Sequence, residues 1–119
     1  MRIRAVLCGF ALVFGASLVA VAQDAAKVDP AHYKVVSENS QVRILHIHYG
    51  AHAKSVMHSH PDGVLVVLSA TKVKFTYPDG KTEIREMKAG DSQFTPHTVH
   101  LPENMGDQPM DAILVELKK

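Results

Sequence analysis

After residue 25 the apolar positions of this 119-residue chain show no stripe of helical period; where they are regular they alternate. Tyr33 to Ser37 reads as a short strand, closed by a turn at Glu38-Asn39-Ser40-Gln41. Val42 to Tyr49 is rich in β-branched residues, mostly apolar, and stops at Gly50. Lys54 to His60 alternates apolar with polar, and Pro61-Asp62-Gly63 makes a tight turn. Val64 to Leu68 is a continuous apolar run, the pattern of a buried central strand. Lys72 to Tyr77 alternates and enters a hairpin turn at Pro78-Asp79-Gly80-Lys81, from which Thr82 to Met87 returns.

Lys88 to Asp91 is a further turn, Ser92 to Thr95 a short strand, Pro96 a break and Thr98 to Leu101 a strand. A long loop is expected from Pro102 to Pro109, and Met110 to Leu117 is the last strand. Eight or nine short strands with turn signals between them describe an all-β domain, a small sandwich or barrel, with no second domain.

The N-terminal part has a different character. Arg2 and Arg4 precede an almost wholly apolar stretch from Ala5 to Val21, and Ala20-Val21-Ala22 offers the small residues of a cleavage site. This is the pattern of a signal peptide spanning residues 1–22, which places the mature protein in the periplasm or outside the cell. A membrane anchor fits less well, because Gly9, Gly15 and Ser17 interrupt the run; no membrane association is expected after cleavage. Residues 23–41 then form a leader with a first strand, the stretch 24–32 looking loose, and residues 42–119 the barrel.

Cys8 is the only cysteine and falls in the leader, so the mature domain has no disulfide despite a compartment that permits one. A domain of this size buries roughly 60–65% of its unfolded surface, enough for one modest core. Of 13 Lys+Arg, Arg2 and Arg4 leave with the leader, against 12 Asp+Glu that all remain. With near neutrality, no basic stripe and no tryptophan, nucleic acid is excluded as an expected partner.

All eight histidines lie beyond residue 31. His58 and His60 stand at i and i+2 on an expected strand and so project from one face. Their imidazoles can converge on one ion, with a third histidine from a distant strand closing the site. His46 and His48 repeat the spacing, with His52 close by; a metal site there would need a further ligand such as His32 or His97. The reading preferred for that second pair is a position on a sheet surface, at a dimer interface or beside the main pocket. Thr98 is in phase with His100 and is expected to line the pocket, whereas His97 is out of phase and faces away.

The order of these residues resembles the cupin superfamily over about residues 42 to 118. Gly50 precedes His58-Ser59-His60, and Val66-Val67-Leu68 fits the hydrophobic strand of the first cupin motif. Gly90, Pro96, His100 and Asn104 match the second, with the step from proline to histidine one residue short. Gly90-Asp91 and the Pro78-Asp79-Gly80 hairpin are similar to cupin features as well. The glutamate of the first motif falls where Gly63 and Val64 stand, and its closing glycine where Ala70 or Thr71 stands.

The resemblance implies a jelly-roll barrel with His58, His60 and His100 as metal ligands and no glutamate ligand. The fourth position is left to Asp62, Gln93 or water. Three neutral imidazoles suit Zn²⁺, Fe²⁺, Cu²⁺, Ni²⁺ or Mn²⁺ rather than the oxygen-seeking Ca²⁺ or Mg²⁺. An ion lacking an anionic ligand keeps its full charge, which favours a small anionic or bidentate partner. The implied function is that of an exported metal-dependent enzyme acting on a small molecule, by oxygen insertion, isomerisation or hydrolysis; the alternative is a non-catalytic module that holds metal or ligand. The apolar residues Val35-Val36 and Ile113-Leu114-Val115 point to a homodimer.

Overall fold

The computed structural model describes residues 23–119; the segment expected to be a signal peptide, residues 1–22, lies outside them. Among the described residues a single helical turn, α1 (Ala25–Val28), precedes nine strands: β1 (Tyr33–Glu38), β2 (Val42–Tyr49), β3 (His58–His60), β4 (Gly63–Val67), β5 (Thr71–Thr76), β6 (Thr82–Met87), β7 (Ser92–Thr95), β8 (Thr98–Asn104) and β9 (Met110–Leu117). They form two antiparallel sheets, ordered β1-β2-β9-β4-β7 and β3-β8-β5-β6. This is a small jelly roll.

Side-chain alternation decides what each sheet turns inward. On β2 the buried positions are Leu45, Ile47 and Tyr49, and their partners across the ladder are Leu114, Ala112 and Met110 of β9. Directly opposed residues share a face, so the two strands supply one continuous apolar layer. Val73 and Phe75 of β5 cover it from the second sheet. Each large side chain buried this way contributes roughly 1.5–3 kcal/mol.

The structure departs from the expected elements in four places. The stretch 24–32 is not loose: Asp24 caps α1, the backbone N–H of Ser59 donates to the carbonyl of Gln23 at 2.9 Å, and Ala25 is fully buried. The strand read from Lys54 shrinks to His58–His60, with Lys54 making an isolated bridge to Glu103. The strand read as ending at Leu101 runs on through Pro102 to Asn104. Proline is tolerated there because its carbonyl accepts from Ser55 (3.0 Å) on the side where β3 has ended, so no ladder donor towards β5 is lost.

The fourth departure concerns β4. It lies between β9 and β7, but Val64 and Leu68 are 36% and 50% exposed. An antiparallel sheet can bury one face and leave the other to solvent, so an unbroken apolar run does not require two buried faces.

Two motif residues have structural explanations. Gly90 adopts φ 89° in the turn before β7, a region that side chains disfavour. Asn104 is buried and clamps the loop before β9: Nδ2 donates to the carbonyls of Gly50 (3.0 Å) and Gln108 (2.9 Å), and Oδ1 accepts from Gly106 (2.9 Å) and Thr71 (2.7 Å).

Candidate metal centre and its cavity

β3 and β8 pair in register, with His58 opposite His100 and His60 opposite Thr98. Period-two alternation turns His58 and His60 inward, and the register sets His100 beside them. The three rings lie 4.7 to 5.3 Å apart between centroids and meet edge-on. One ring nitrogen from each comes within 4.8 Å of the other two.

The outer nitrogens of His58 and His60 face protein partners. His58 Nδ1 lies 2.8 Å from the carbonyl oxygen of Val56, which can only accept, so Nδ1 carries the proton and Nε2 is a bare lone pair. Ser55 stands 3.3 Å from the same Nδ1 and donates its hydroxyl to Asp29 at 2.5 Å. His60 Nδ1 faces the Glu116 carboxylate at 3.4 Å, a long contact. Glu116 is held in turn by Arg43 at 2.6 Å, and Arg43 forks onto Asp24 at 2.7 and 2.8 Å. Carboxylates that orient imidazoles from behind are the usual outer layer of a histidine metal site.

The inner side of the cluster is unsatisfied. Nε2 of His58 and Nε2 of His100 are buried with no hydrogen-bond partner. Leaving one such group buried costs about 1–3 kcal/mol, and two facing one point are a costly coincidence unless a cation shares their lone pairs. Burial, reinforced by neighbouring His60, depresses the His58 pKa to about 4. Burial and the two other histidines, with Arg85 beyond, push His100 down to about 2. Both are neutral at physiological pH, the state a metal requires. The donor set fits a divalent transition ion.

Tyr33 closes the cluster from β1, edge-on to His58 at 4.8 Å and tilted to His60 at 5.3 Å, with its hydroxyl bonded to that of Tyr49. Burial raises the Tyr33 pKa well above the ordinary tyrosine value and that of Tyr49 to about 12, so both remain protonated. A cavity of about 500 Å³ opens beside them, within the range typical of small-molecule sites. His100, Tyr33 and Tyr49 border it, as do Leu65, Phe75 and Leu114.

Thr98 borders this cavity, as its phase with His100 implied, and so does Gln93, which was left as one choice for the fourth ligand. His97, expected to face away, also borders it, because Pro96 breaks the strand and β8 begins at a corner. Asp62 is placed elsewhere: its carboxylate accepts from the backbone N–H of His97 at 2.7 Å and lies 4.0 Å from the Lys119 ammonium. His46 and His48 sit on the outer face, each 2.9 Å from Asp111 Oδ1, in keeping with a sheet-surface position. His32 pairs with Asp29 at 2.7 Å and stacks on Tyr49, and exposed His52 pairs with Asp107 at 2.7 Å.

Position 63, where the motif glutamate falls, explains itself in space. Gly63 pairs across the ladder with Glu116, and a Cβ on Gly63 would stand 2.6 Å from the backbone oxygen of Val115. The buried carboxylate beside the histidines therefore comes from the neighbouring strand and acts from behind His60. Glu116, Arg43, Asp29 and Tyr33 were missed in the sequence. Glu116 had a signal: it is in phase with the buried Met110, Ala112 and Leu114 of an otherwise apolar strand.

No family model and no curated protein matches the sequence. Solved structures do. A cupin domain from Bordetella pertussis matches at 20% identity and TM-score 0.69, over 73% of this chain and 92% of its own. A conserved protein with a double-stranded β-helix domain from Klebsiella pneumoniae is 24% identical, with TM-score 0.56 over 70% and 72% of the two chains. A polyketide cyclase from Streptomyces resistomycificus is 17% identical, with TM-score 0.55 over 73% of this chain and 64% of its own. With its nine strands in two antiparallel sheets and a histidine cluster between them, this chain has the cupin fold, the double-stranded β-helix.

Proposed function

We propose that the protein is an exported, metal-dependent cupin that processes a small molecule in the cavity beside His100, holding a divalent transition ion with His58, His60 and His100. The observation that carries this reading is the pair of buried, unpartnered Nε2 atoms in a cluster whose outer nitrogens are anchored at His58 and His60. When bound, such an ion would supply Lewis acidity and positions for a small anionic or bidentate ligand. The chain's own part is to keep His58 and His100 neutral, fix the orientation of His58 and His60 through Val56, Ser55 and Glu116, and present an apolar pocket. Gln93 and Thr98 are among the polar groups that border the pocket and can orient a ligand there.

Elemental analysis of protein purified without added metal is the direct test, with oxygen uptake and small-molecule turnover as the measure of catalysis. About one ion per chain in the wild type, and loss of it in His58→Ala, is the expected result. Full metal content in His58→Ala would overturn it, and a firmly held zinc with no turnover would favour a module that only binds. The same purification addresses export and assembly. Chains beginning near Gln23 are expected from the periplasm, paired through the outer sheet face that carries exposed Val35 and Val36 and half-buried Ile113 and Val115. Leu114, expected in that patch, is instead buried in the core because alternate residues of β9 face inward. Retained Met1, or a monomer by light scattering, would count against those two parts.

A further inference from the structure

β6 is amphipathic the wrong way round. Its apolar Ile84 points to solvent and is 57% exposed, while Glu83, Arg85 and Met87 face the cavity. The register explains why: Arg85 stands opposite buried Val73, and Glu83 opposite buried Phe75. A cation is thereby turned towards a pocket otherwise walled by Leu65, Val73, Met110 and Leu114.

Arg85 is tied by an aromatic ring to the histidine cluster. Its guanidinium carbon lies 5.2 Å from the centroid of Phe75, and Phe75 stacks on His100 at 5.1 Å with 27° between the planes. Together these contacts bound the separation of the guanidinium carbon from the His100 ring at about 10 Å. Nε and Nη2 donate to Glu83 at 2.9 and 3.1 Å, and Tyr77, whose hydroxyl donates to Glu83 at 2.7 Å, stands within hydrogen-bonding reach of the same guanidinium. Glu83 is gripped through the Nε–Nη2 edge; the Nη1–Nη2 edge is a second fork, the shape that matches a carboxylate in two parallel hydrogen bonds.

We propose that Arg85 is the specificity-determining residue of the cavity and that the ligand class is the small organic monocarboxylate. The acid group sits on the outer edge of Arg85, and an apolar body no longer than the span to His100 lies along Phe75. The inference rests on the proposed function for the location of the pocket, though not on the metal itself. A monoanion is favoured over a phosphate because Glu83 shares the guanidinium, leaving little net positive charge for a dianion. The arginine–glutamate pair is half-exposed and formed between residues two apart on one strand, so it is weak enough to accept a competitor. Inward charges on an edge strand also discourage edge-to-edge pairing, and the experiment separates that role from ligand recognition.

Mature full-length protein, with its metal content measured and again after chelation, is titrated calorimetrically with phenylacetate, its neutral amide phenylacetamide and phenyl phosphate. Phenylacetate is expected to bind about tenfold or more tighter than the amide, and tighter than phenyl phosphate, with the advantage shrinking in high salt. Arg85→Gln should abolish the preference while leaving amide affinity, metal content and oligomeric state unchanged; Arg85→Lys should retain part of it. A wild type that binds none of the three, prefers the phosphate or does not prefer the acid overturns the proposal. So does an Arg85→Gln variant that keeps the preference and merely associates. Acid preference through Arg85 in protein that never holds metal would leave this inference standing and sink the metal reading instead.

Discussion

His58-Ser59-His60 and His46-Ile47-His48 are the same pattern with opposite fates. Each puts two imidazoles on one face of a strand. The first pair is buried at 0% and 4% exposure and meets His100, and the Nε2 atoms of His58 and His100 are left buried without a hydrogen-bond partner. The second lies on the outer face, more than a third exposed, and shares the Asp111 carboxylate, whose pKa these hydrogen bonds lower. Spacing makes imidazoles neighbours; only burial without a protein partner makes them a ligand set.

The largest effect expected from this contrast is on metal affinity. Removing His58, His60 or His100 should lower it by more than the roughly 10–100-fold that follows loss of an outer orienting partner. His46→Ala and His48→Ala should leave it unchanged and alter stability by no more than about 0.5 kcal/mol. Competition against a chelator for a divalent ion measures both. A loss confined to the outer pair would invert the comparison.

Adding a carboxylate to each face sharpens it further. Restoring the motif glutamate appears simple from the sequence, yet Gly63→Glu must drive its Cβ into the Val115 backbone and set a second acid beside buried Glu116. A loss of about 3 kcal/mol or more, or failure to fold, is expected. Val64→Glu, on the exposed face, should cost far less and bring no new ligand. Urea unfolding of the two variants decides it: equal stability would mean that position 63 is not the crowded interior described above.

Acid should distinguish the faces next. In metal-free protein His58 titrates near 4 when folded and near 6.5 when unfolded, so between these values the unfolded chain binds more protons. The stability associated with keeping it neutral is complete above about pH 6.5 and drains away as pH falls towards 4, by about 3 kcal/mol. His46→Ala should follow the wild-type curve. Denaturant midpoints that stay level from pH 7 to 4.5 would contradict a buried neutral His58.

A smaller effect probes the layer behind the ligands. Glu116→Gln keeps the shape but removes the charge facing His60 and Arg43, and should weaken metal binding about 10–100-fold without abolishing it. An affinity equal to wild type would show that Arg43 and Glu116 serve the fold alone.

Much of this was legible in the residues. The boundaries of β2, β6, β7 and β9 follow from alternation and turn chemistry, because a strand with one buried face must repeat every second residue. The triad was legible because His58 and His60 are local neighbours and His100 sits within a second motif of recognisable order. The supporting residues were not, since Asp24, Arg43, Glu116 and His60 are far apart in sequence and meet only through the pairing of β2 with β9 and β9 with β4.

The sequence by itself determined the β class, most strand limits and which imidazoles share a side. Tertiary structure alone decided that 23–32 braces the strand of His58 and His60 instead of trailing from it, that Glu116 occupies the space a glutamate at 63 cannot, and that Arg85 faces the cavity. The physical reason is that periodicity specifies two faces for each strand but not which is inside. That choice is made when the sheets close on each other, and it depends on the summed burial of every strand together.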